Sequence, residues 1–166
     1  MKAKSIQRPC RLLFVCLGNI CRSPLAEGIF IHLVEEQGRA HQFEVDSAGT
    51  GNWHIGERPD PRSLDIANQH KVTLPSRARQ IVEKDFHYFD LILAMDQSNL
   101  HHLTAMKPPG AQASLYLMRE FDSEPGDYEV PDPYFGGDEG FEHVYTMLHR
   151  SSMRLLTHAQ ENFLYT

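Results

Sequence analysis

The sequence has few cysteines and no long apolar segment. Cys10, Cys16 and Cys21 are the only cysteines among 166 residues, and this odd number argues against a secreted disulfide scaffold and for a reducing compartment. A membrane-spanning helix needs about 20 consecutive apolar residues, and the run from Leu12 to Cys16 is far shorter. The same run is too short for the apolar part of a signal peptide. These absences predict a cytoplasmic protein without a membrane span.

Basic residues are outnumbered by acidic ones. The chain has 16 Lys and Arg against 22 Asp and Glu, a net charge of −6. Such a chain lacks the basic footprint that nucleic acids require, so no nucleic-acid partner is expected. Residues 120–142 hold nine of the carboxylates and no Lys or Arg, so 16 basic and 13 acidic residues remain elsewhere. This distribution predicts a solvated acidic loop on a mildly basic body.

Short apolar runs alternate with segments of helical period. Predicted strands occupy residues 12–15, 42–46, 91–95 and 113–118, and predicted helices occupy 24–37, 61–70, 97–105 and the region from 141 onward. Ser23 is expected to cap the first helix, with Pro24 at its first position and Gly38 after its end. The alternation predicts a three-layer α/β/α fold with a four-stranded parallel sheet. We expect a single domain over residues 1–166, with residues 1–10 as a flexible basic arm.

The loop after the first strand is the candidate site. Ligands of parallel sheets bind outside the carboxyl ends of the strands, where residues 16–23 follow the first apolar run. Gly18 and Asn19 tolerate the left-handed backbone that turns successive N–H groups toward an anion. Arg22 adds a planar fork that grips two phosphate oxygens, and this positive environment favours a thiolate at Cys16. The pattern predicts a phosphate-binding loop with a nucleophile; the alternative is a buried apolar cysteine at a strand end.

The loop Cys-Leu-Gly-Asn-Ile-Cys-Arg-Ser-Pro, residues 16–24, resembles the active-site loop of the low-molecular-weight protein tyrosine phosphatases. Four further segments follow in family order: residues 46–50, 78–80, 95–99 and 132–134. The resemblance implies metal-independent hydrolysis of phosphotyrosine in proteins, and of small aryl phosphates, through a phosphocysteine intermediate and without a cofactor. It places the phosphate-binding loop at Leu17, Gly18, Asn19, Ile20, Cys21, Arg22 and Ser23.

The same resemblance assigns the catalytic roles. Cys16 is the nucleophile, Arg22 binds the phosphoryl group, and Asp132 is the acid that protonates the leaving group and then the base that activates water. Prolines on both sides of Asp132 exclude a helix and hold it in an extended loop. Trp53 and Tyr134 correspond to the aromatic walls that flank the substrate ring.

Supporting residues follow from the resemblance as well. Ser23 corresponds to the hydroxyl that hydrogen-bonds the cysteine sulfur, and Asn19, held by Ser47, corresponds to the residue that fixes the loop shape. Ser76 stands where many members carry a histidine bonded to that asparagine, and its shorter side chain is not expected to reach. Cys21 has two interpretations that do not come from the resemblance: a small residue packed under the loop, or a redox partner of Cys16, because loop closure can bring the two Cα atoms within the roughly 4.4–6.8 Å that a disulfide needs.

The sequence also bears on four alternatives to a tyrosine phosphatase. Arsenate reductases of this fold need two further cysteines, and none follows Cys21. The spacing C-x5-C-x4-C does not match structural zinc sites. Related protein-arginine phosphatases carry threonine at the position of Ile20, and a weak phosphotyrosine-binding module would be expected to lack Cys16 or Asp132. The implied partners are phosphotyrosine-containing proteins, with an autophosphorylating tyrosine kinase as one candidate, and the implied inhibitors are phosphate and vanadate.

Overall fold

Four strands form a parallel sheet in the order β2-β1-β3-β4. The computed structural model describes residues 8–134 and 136–163, and within them the strands are Cys10–Cys16 (β1), Phe43–Gly49 (β2), Leu91–Ala94 (β3) and Ser114–Leu117 (β4). Leu12 of β1 lies in register with Val45 on one side and Leu91 on the other. The predicted fold class is confirmed.

Five α-helices are described on the two faces of the sheet: Arg22–Glu36 (α1), Pro61–Gln69 (α2), Glu83–Tyr88 (α3), Gln97–Met106 (α4) and Asp138–Phe163 (α5). Short 3-10 turns cover Ala40–Gln42 and Met118–Phe121. The helix α3 was not predicted, because six residues are too few to show a helical period.

The side chains of β1 divide between two apolar layers. Leu12 and Phe14 pack in one cluster with buried residues of α1 and α5, whereas Leu13 and Val15 pack in the other with residues of α3 and α4. A strand covered on both faces carries a continuous apolar run, since successive side chains point to opposite sides. This explains why β1 was recognisable in the sequence.

The first helix starts differently from the prediction. Cys21 is its N-cap without a side-chain cap, and Arg22 is its first residue, so the expected cap at Ser23 is wrong. Pro24 is tolerated at the third helical position because the first N–H groups of a helix have no intrahelical acceptor. The Ser23 hydroxyl lies 3.0 Å from the Cys16 sulfur instead of capping the helix.

Two arginines outside the acidic segment tie it to the rest of the molecule. The buried carboxylate of Asp122 accepts hydrogen bonds from Arg119 Nε at 2.9 Å and Arg150 Nε at 2.8 Å. Burial opposes ionisation, but the two guanidinium groups outweigh it and lower the pKa of Asp122 to about 2. Arg119 also donates to the backbone oxygens of Glu124 and Glu129. The prediction of a solvated loop is therefore wrong at Asp122, and the segment carrying Asp132 is anchored.

The amino-terminal segment joins the fold before the predicted arm ends. Residues 1–7 of that arm lie outside the described residues. Arg8 forms an ion pair of 2.7 Å with Asp90, and Cys10 begins β1, so the arm prediction fails at these two positions. Among the described residues, no helix has the length and apolar character needed to cross a membrane.

Candidate active site

The loop between β1 and α1 lies where the connections of the sheet reverse direction. From β1 the chain crosses to β2 on one side, and it later enters β3 on the other side. Such a reversal opens a crevice outside the carboxyl ends of the strands. Cys16 is the last residue of β1 and Arg22 is the first of α1, so both border this crevice.

Backbone hydrogen bonds leave donors of this loop unused. Four of its carbonyl groups accept from neighbouring segments: Cys16 O from Thr50 N (2.9 Å), Leu17 O from Gly51 N (2.9 Å), Ile20 O from Asp60 N (2.8 Å) and Cys21 O from Ser63 Oγ (3.2 Å). By contrast, the N–H groups of Gly18, Ile20 and Cys21 have no acceptor within residues 8–134 and 136–163. Unpaired N–H groups at a helix N-terminus form a ready site for an anion.

Two hydrogen-bond donors surround the Cys16 sulfur. The backbone N–H of Asn19 donates to Cys16 Sγ at 3.2 Å, and Ser23 Oγ lies 3.0 Å from the same atom. Asn19 adopts a left-handed conformation with φ 56°, which turns its N–H back toward the sulfur. The arrangement suits a sulfur that carries negative charge.

The side chain of Asn19 holds this strained conformation. Its Nδ2 donates to Ser23 Oγ at 2.8 Å and to Ser47 Oγ at 3.0 Å, and its Oδ1 accepts from Arg79 N at 3.0 Å. Gly49 permits the close approach, because a Cβ there would lie 2.8 Å from the carbonyl oxygen of Leu17. The expected contact with Ser47 is present.

Ser76 takes part in the same region by another route. It makes no hydrogen bond to Asn19, and its Oγ lies 2.6 Å from Oε2 of Glu27 on α1. Oε1 of Glu27 lies 2.6 Å from Ser47 Oγ. Glu27 was not predicted, because nothing in the pattern of α1 distinguishes it from a surface glutamate.

Arg22 is buried, with 2% of its surface exposed, and its hydrogen bonds to the described residues are made through Nη1. Nη1 donates to Asp96 Oδ2 at 2.7 Å and to Val130 O at 2.9 Å. Nε is buried and has no hydrogen-bond partner among the described residues. Burial disfavours the cation, but the charges of Cys16, Asp96 and Asp132 outweigh it and raise the pKa of Arg22 above its usual value. The site therefore holds a permanent cation whose Nε–H is available to donate a hydrogen bond to a ligand.

Asp132 reaches the site from the acidic segment. Its Oδ2 lies 3.6 Å from Arg22 Nη2, and its Oδ1 accepts from Tyr134 N at 3.0 Å. Arg62 of α2 donates to the carbonyl oxygens of Tyr134 at 2.8 Å and Gly136 at 3.0 Å. Arg62, which the sequence analysis did not single out, thus fastens the loop beside its carboxylate.

These groups line one cavity of about 210 Å³. Its walls are Cys16, Leu17, Gly18, Ile20, Cys21, Arg22, Trp53, His54, Asp132 and Tyr134. Trp53 and Tyr134, the two predicted aromatic walls, both line this cavity, and the Trp53 side chain is 68% exposed. His54 was not predicted; its Nδ1 lies 2.6 Å from Glu57 Oε2. One histidine among ten carries no sequence signal that would have found it.

The remaining cysteines and potential metal ligands can be placed as well. Cys21 lines the cavity, and burial, together with the nearby charge of Asp60, raises the pKa of its thiol to about 12. Cys10 is buried at the start of β1, and all three cysteines are free thiols. Within the described ranges, no group of three or more His, Cys, Asp or Glu side chains is arranged to hold a metal ion.

The fold and the loop together define an α/β protein with a cysteine–arginine site for an oxyanion. The chain belongs to the low molecular weight phosphotyrosine protein phosphatase family, whose model matches residues 11–163, and it is therefore an enzyme of the phosphatase class. A Schizosaccharomyces pombe protein named for this activity is 45% identical over 139 residues, which cover 83% of this chain and 89% of that one.

Solved structures agree with this assignment. The crystal structure of a protein tyrosine phosphatase from Entamoeba histolytica superposes with a TM-score of 0.89 at 35% identity, covering 93% of this chain and 99% of that chain. The structure of a Drosophila arginine phosphatase superposes with a TM-score of 0.84 at 36% identity, covering 91% and 98%.

Proposed function

We propose that the protein hydrolyses phosphotyrosine in proteins, and small aryl phosphates, in two steps. The Cys16 thiolate attacks phosphorus, the ester P–O bond breaks, and Asp132 donates its proton to the departing phenolate. Asp132 then removes a proton from water, which attacks the phosphocysteine, and the S–P bond breaks to release phosphate and the thiolate. The observation that carries this proposal is the convergence of Cys16, Arg22 and Asp132 in one cavity.

Groups of the protein stabilise the negative charge on the phosphoryl group. Arg22 supplies its buried cation and its unpartnered Nε, and the loop supplies the N–H groups of Gly18, Ile20 and Cys21. Donors that are already in place stabilise the transition state without reorganisation. Ser23 donates to the sulfur and improves it as a leaving group in the second step, while Asn19 and Ser47 keep that donor in position.

The cavity favours an aryl phosphate over a phosphorylated serine. The aromatic side chains of Trp53 and Tyr134 line its walls, so a substrate ring can lie between them while phosphorus meets Cys16. Ile20 lines the same cavity. It favours phosphotyrosine over phosphoarginine as the substrate, because the related protein-arginine phosphatases carry threonine at this position. Phosphoarginine is the second candidate substrate, because one of the structural neighbours is an arginine phosphatase.

Hydrolysis of p-nitrophenyl phosphate, a phosphotyrosine peptide and a phosphoarginine peptide tests this assignment. We expect turnover of the first two to persist in excess EDTA and to stop with vanadate, and we expect the phosphotyrosine peptide to be preferred. In an Ile20→Thr variant the preference should move toward phosphoarginine. Preference of the wild type for phosphoarginine would establish the second candidate, loss of turnover in EDTA would refute metal independence, and peptide binding without turnover would identify a binding module.

We also propose that Cys21 protects Cys16 from irreversible oxidation. Peroxide converts the Cys16 thiolate to a sulfenic acid, the Cys21 sulfur then attacks that sulfur, and water leaves as the disulfide forms. We expect peroxide inactivation to be reversed by dithiothreitol in the wild type and in a Cys10→Ser control. A Cys21→Ser variant should regain markedly less activity; equal recovery would contradict this role.

The cytoplasmic location and a tyrosine kinase partner stay predictions.

A further inference from the structure

A buried carboxyl group lies behind the phosphate loop and has no part in the mechanism above. Glu27 of α1 is 2% exposed, and no Lys, Arg or His of the described chain lies within ion-pair distance of it. Its two oxygens instead lie 2.6 Å from hydroxyl groups, Oε1 from Ser47 and Oε2 from Ser76. An acidic side chain is rarely buried in this way unless it is paired, so its environment favours the neutral form.

Four hydrogen bonds connect this carboxyl group to the nucleophile. Asn19 Nδ2 can only donate, and it donates to Ser47 Oγ at 3.0 Å and to Ser23 Oγ at 2.8 Å. Each serine oxygen is therefore an acceptor from Asn19, which leaves each hydroxyl hydrogen to point onward. The Ser47 hydrogen goes to Glu27. The Ser23 hydrogen has two acceptors within reach, Cys16 Sγ at 3.0 Å and Ala48 O at 3.5 Å, and the shorter contact is the one to the sulfur.

We propose that Glu27 is a positioning residue that works in its neutral form. The protonated carboxyl donates from Oε2 to Ser76 and accepts at Oε1 from Ser47. Through Ser47 and Asn19 it keeps Ser23 as the donor to the nucleophile. Ionisation keeps the bond from Ser47 but adds a buried negative charge behind a loop that must hold a thiolate and a phosphate. This inference rests on the proposed function.

The titration of Glu27 falls near neutral pH. Burial raises its pKa to about 7; the Ser47 and Ser76 hydroxyls lower it in part, Asp46 raises it and Arg79 lowers it. Arg79 is itself shared between carboxylates, at 3.0 Å from Asp46 and 3.1 Å from Asp85.

Charged groups also surround Gly28, the next residue of α1. His32, Glu35 and Lys71 line a surface cavity around Gly28 that does not include Glu27. Loss of the Glu27 proton therefore leaves a negative charge that no dedicated cation balances.

A Glu27→Gln variant mimics the neutral form, since its amide can donate to Ser76 and its oxygen can accept from Ser47. We measure kcat/KM for p-nitrophenyl phosphate from pH 5.5 to 8.5 and divide the variant by the wild type at each pH. This ratio cancels the pH effects that the two proteins share. We expect it to be near 1 at the acidic end and to rise about 10-fold by the alkaline end, the effect of two charges about 10 Å apart inside a protein.

A matched control and a second measurement separate the outcomes. Glu35→Gln on the exposed face of α1 should give a flat ratio. Because a raised carboxyl pKa means that the folded state binds more protons, the free energy of unfolding of the wild type should fall relative to Glu27→Gln as pH rises from about 4.5 to 7, and then stay level.

A flat activity ratio for Glu27→Gln overturns the requirement for a neutral Glu27 in catalysis, even where this stability difference appears. A missing stability difference overturns the neutral form itself. A wild type without turnover refutes the proposed function instead, and leaves the stability measurement to test the protonation of Glu27.

Discussion

Replacing Cys16 by serine is expected to lower kcat for p-nitrophenyl phosphate by about 10⁵-fold or more, since a catalytic nucleophile and its partners act as a unit. The donors around the sulfur, Asn19 N and Ser23 Oγ, suit an anion. A serine hydroxyl stays neutral at any working pH, so the same donors have no thiolate to stabilise, and its shorter C–O bond draws the oxygen back from phosphorus. Steady-state kinetics of the purified variant measures the loss.

Binding of inorganic phosphate shows whether the loop of the Cys16→Ser variant is intact. Arg22 and the loop N–H groups are unchanged, so calorimetry should find phosphate bound with an affinity close to that of the wild type. Cys10→Ser, at a buried thiol on the far end of β1, is the matched control and should keep its turnover. Substantial activity in Cys16→Ser together with normal phosphate binding would mean that another group is the nucleophile.

Replacing Asp132 by asparagine is expected to lower kcat for phenyl phosphate by about 10²- to 10⁴-fold, the usual contribution of a general acid. Asparagine keeps an oxygen that can accept from Tyr134 N, so the loop should retain its shape, but it has no proton to give. The loss should be large for phenyl phosphate, whose leaving group needs the proton, and small for p-nitrophenyl phosphate, whose phenolate leaves without help. Comparing kcat for the two esters in wild type and variant measures this difference.

The control for Asp132→Asn is Asp127→Asn on the same segment. The Asp127 side chain is 76% exposed and lies 3.4 Å from Arg119, away from the cavity, so its replacement should change neither ester's turnover. An equal loss for both esters in Asp132→Asn would contradict the general-acid role. Since Asp132 lies 3.6 Å from Arg22, such a result would assign it to holding that guanidinium group instead.

The parts of this protein that the sequence predicted well are local. The apolar run of β1 indicates a strand covered on both faces. The loop that follows holds Cys16 and Arg22 within seven residues. Over so short a span the backbone has few ways to close around an anion, so residue type and spacing carry the geometry. The prediction of a helix cap at Ser23 was wrong, because the hydroxyl group of Ser23 contacts the Cys16 sulfur instead of a backbone N–H of the helix.

Predictions that depended on average charge were less successful. The acidic composition of residues 120–142 indicated a solvated loop, but Arg119 and Arg150 lie just beyond its ends and meet at the buried Asp122. Charge counts cannot show which cations fold back onto a segment, because pairing depends on packing rather than on proximity in the chain.

The sequence by itself determined the fold class and the family, and it placed the candidate phosphate loop after the first strand, since each of these rests on short-range patterns of polarity and spacing. Only the tertiary structure decided what surrounds them: Asp132 beside Arg22, His54 in the cavity wall, and Glu27 behind the loop. These contacts join residues far apart in the chain, and the protonation of a group such as Glu27 depends on its burial and its partners. No pattern along the chain records that environment, since it exists only once the helices have packed against the sheet.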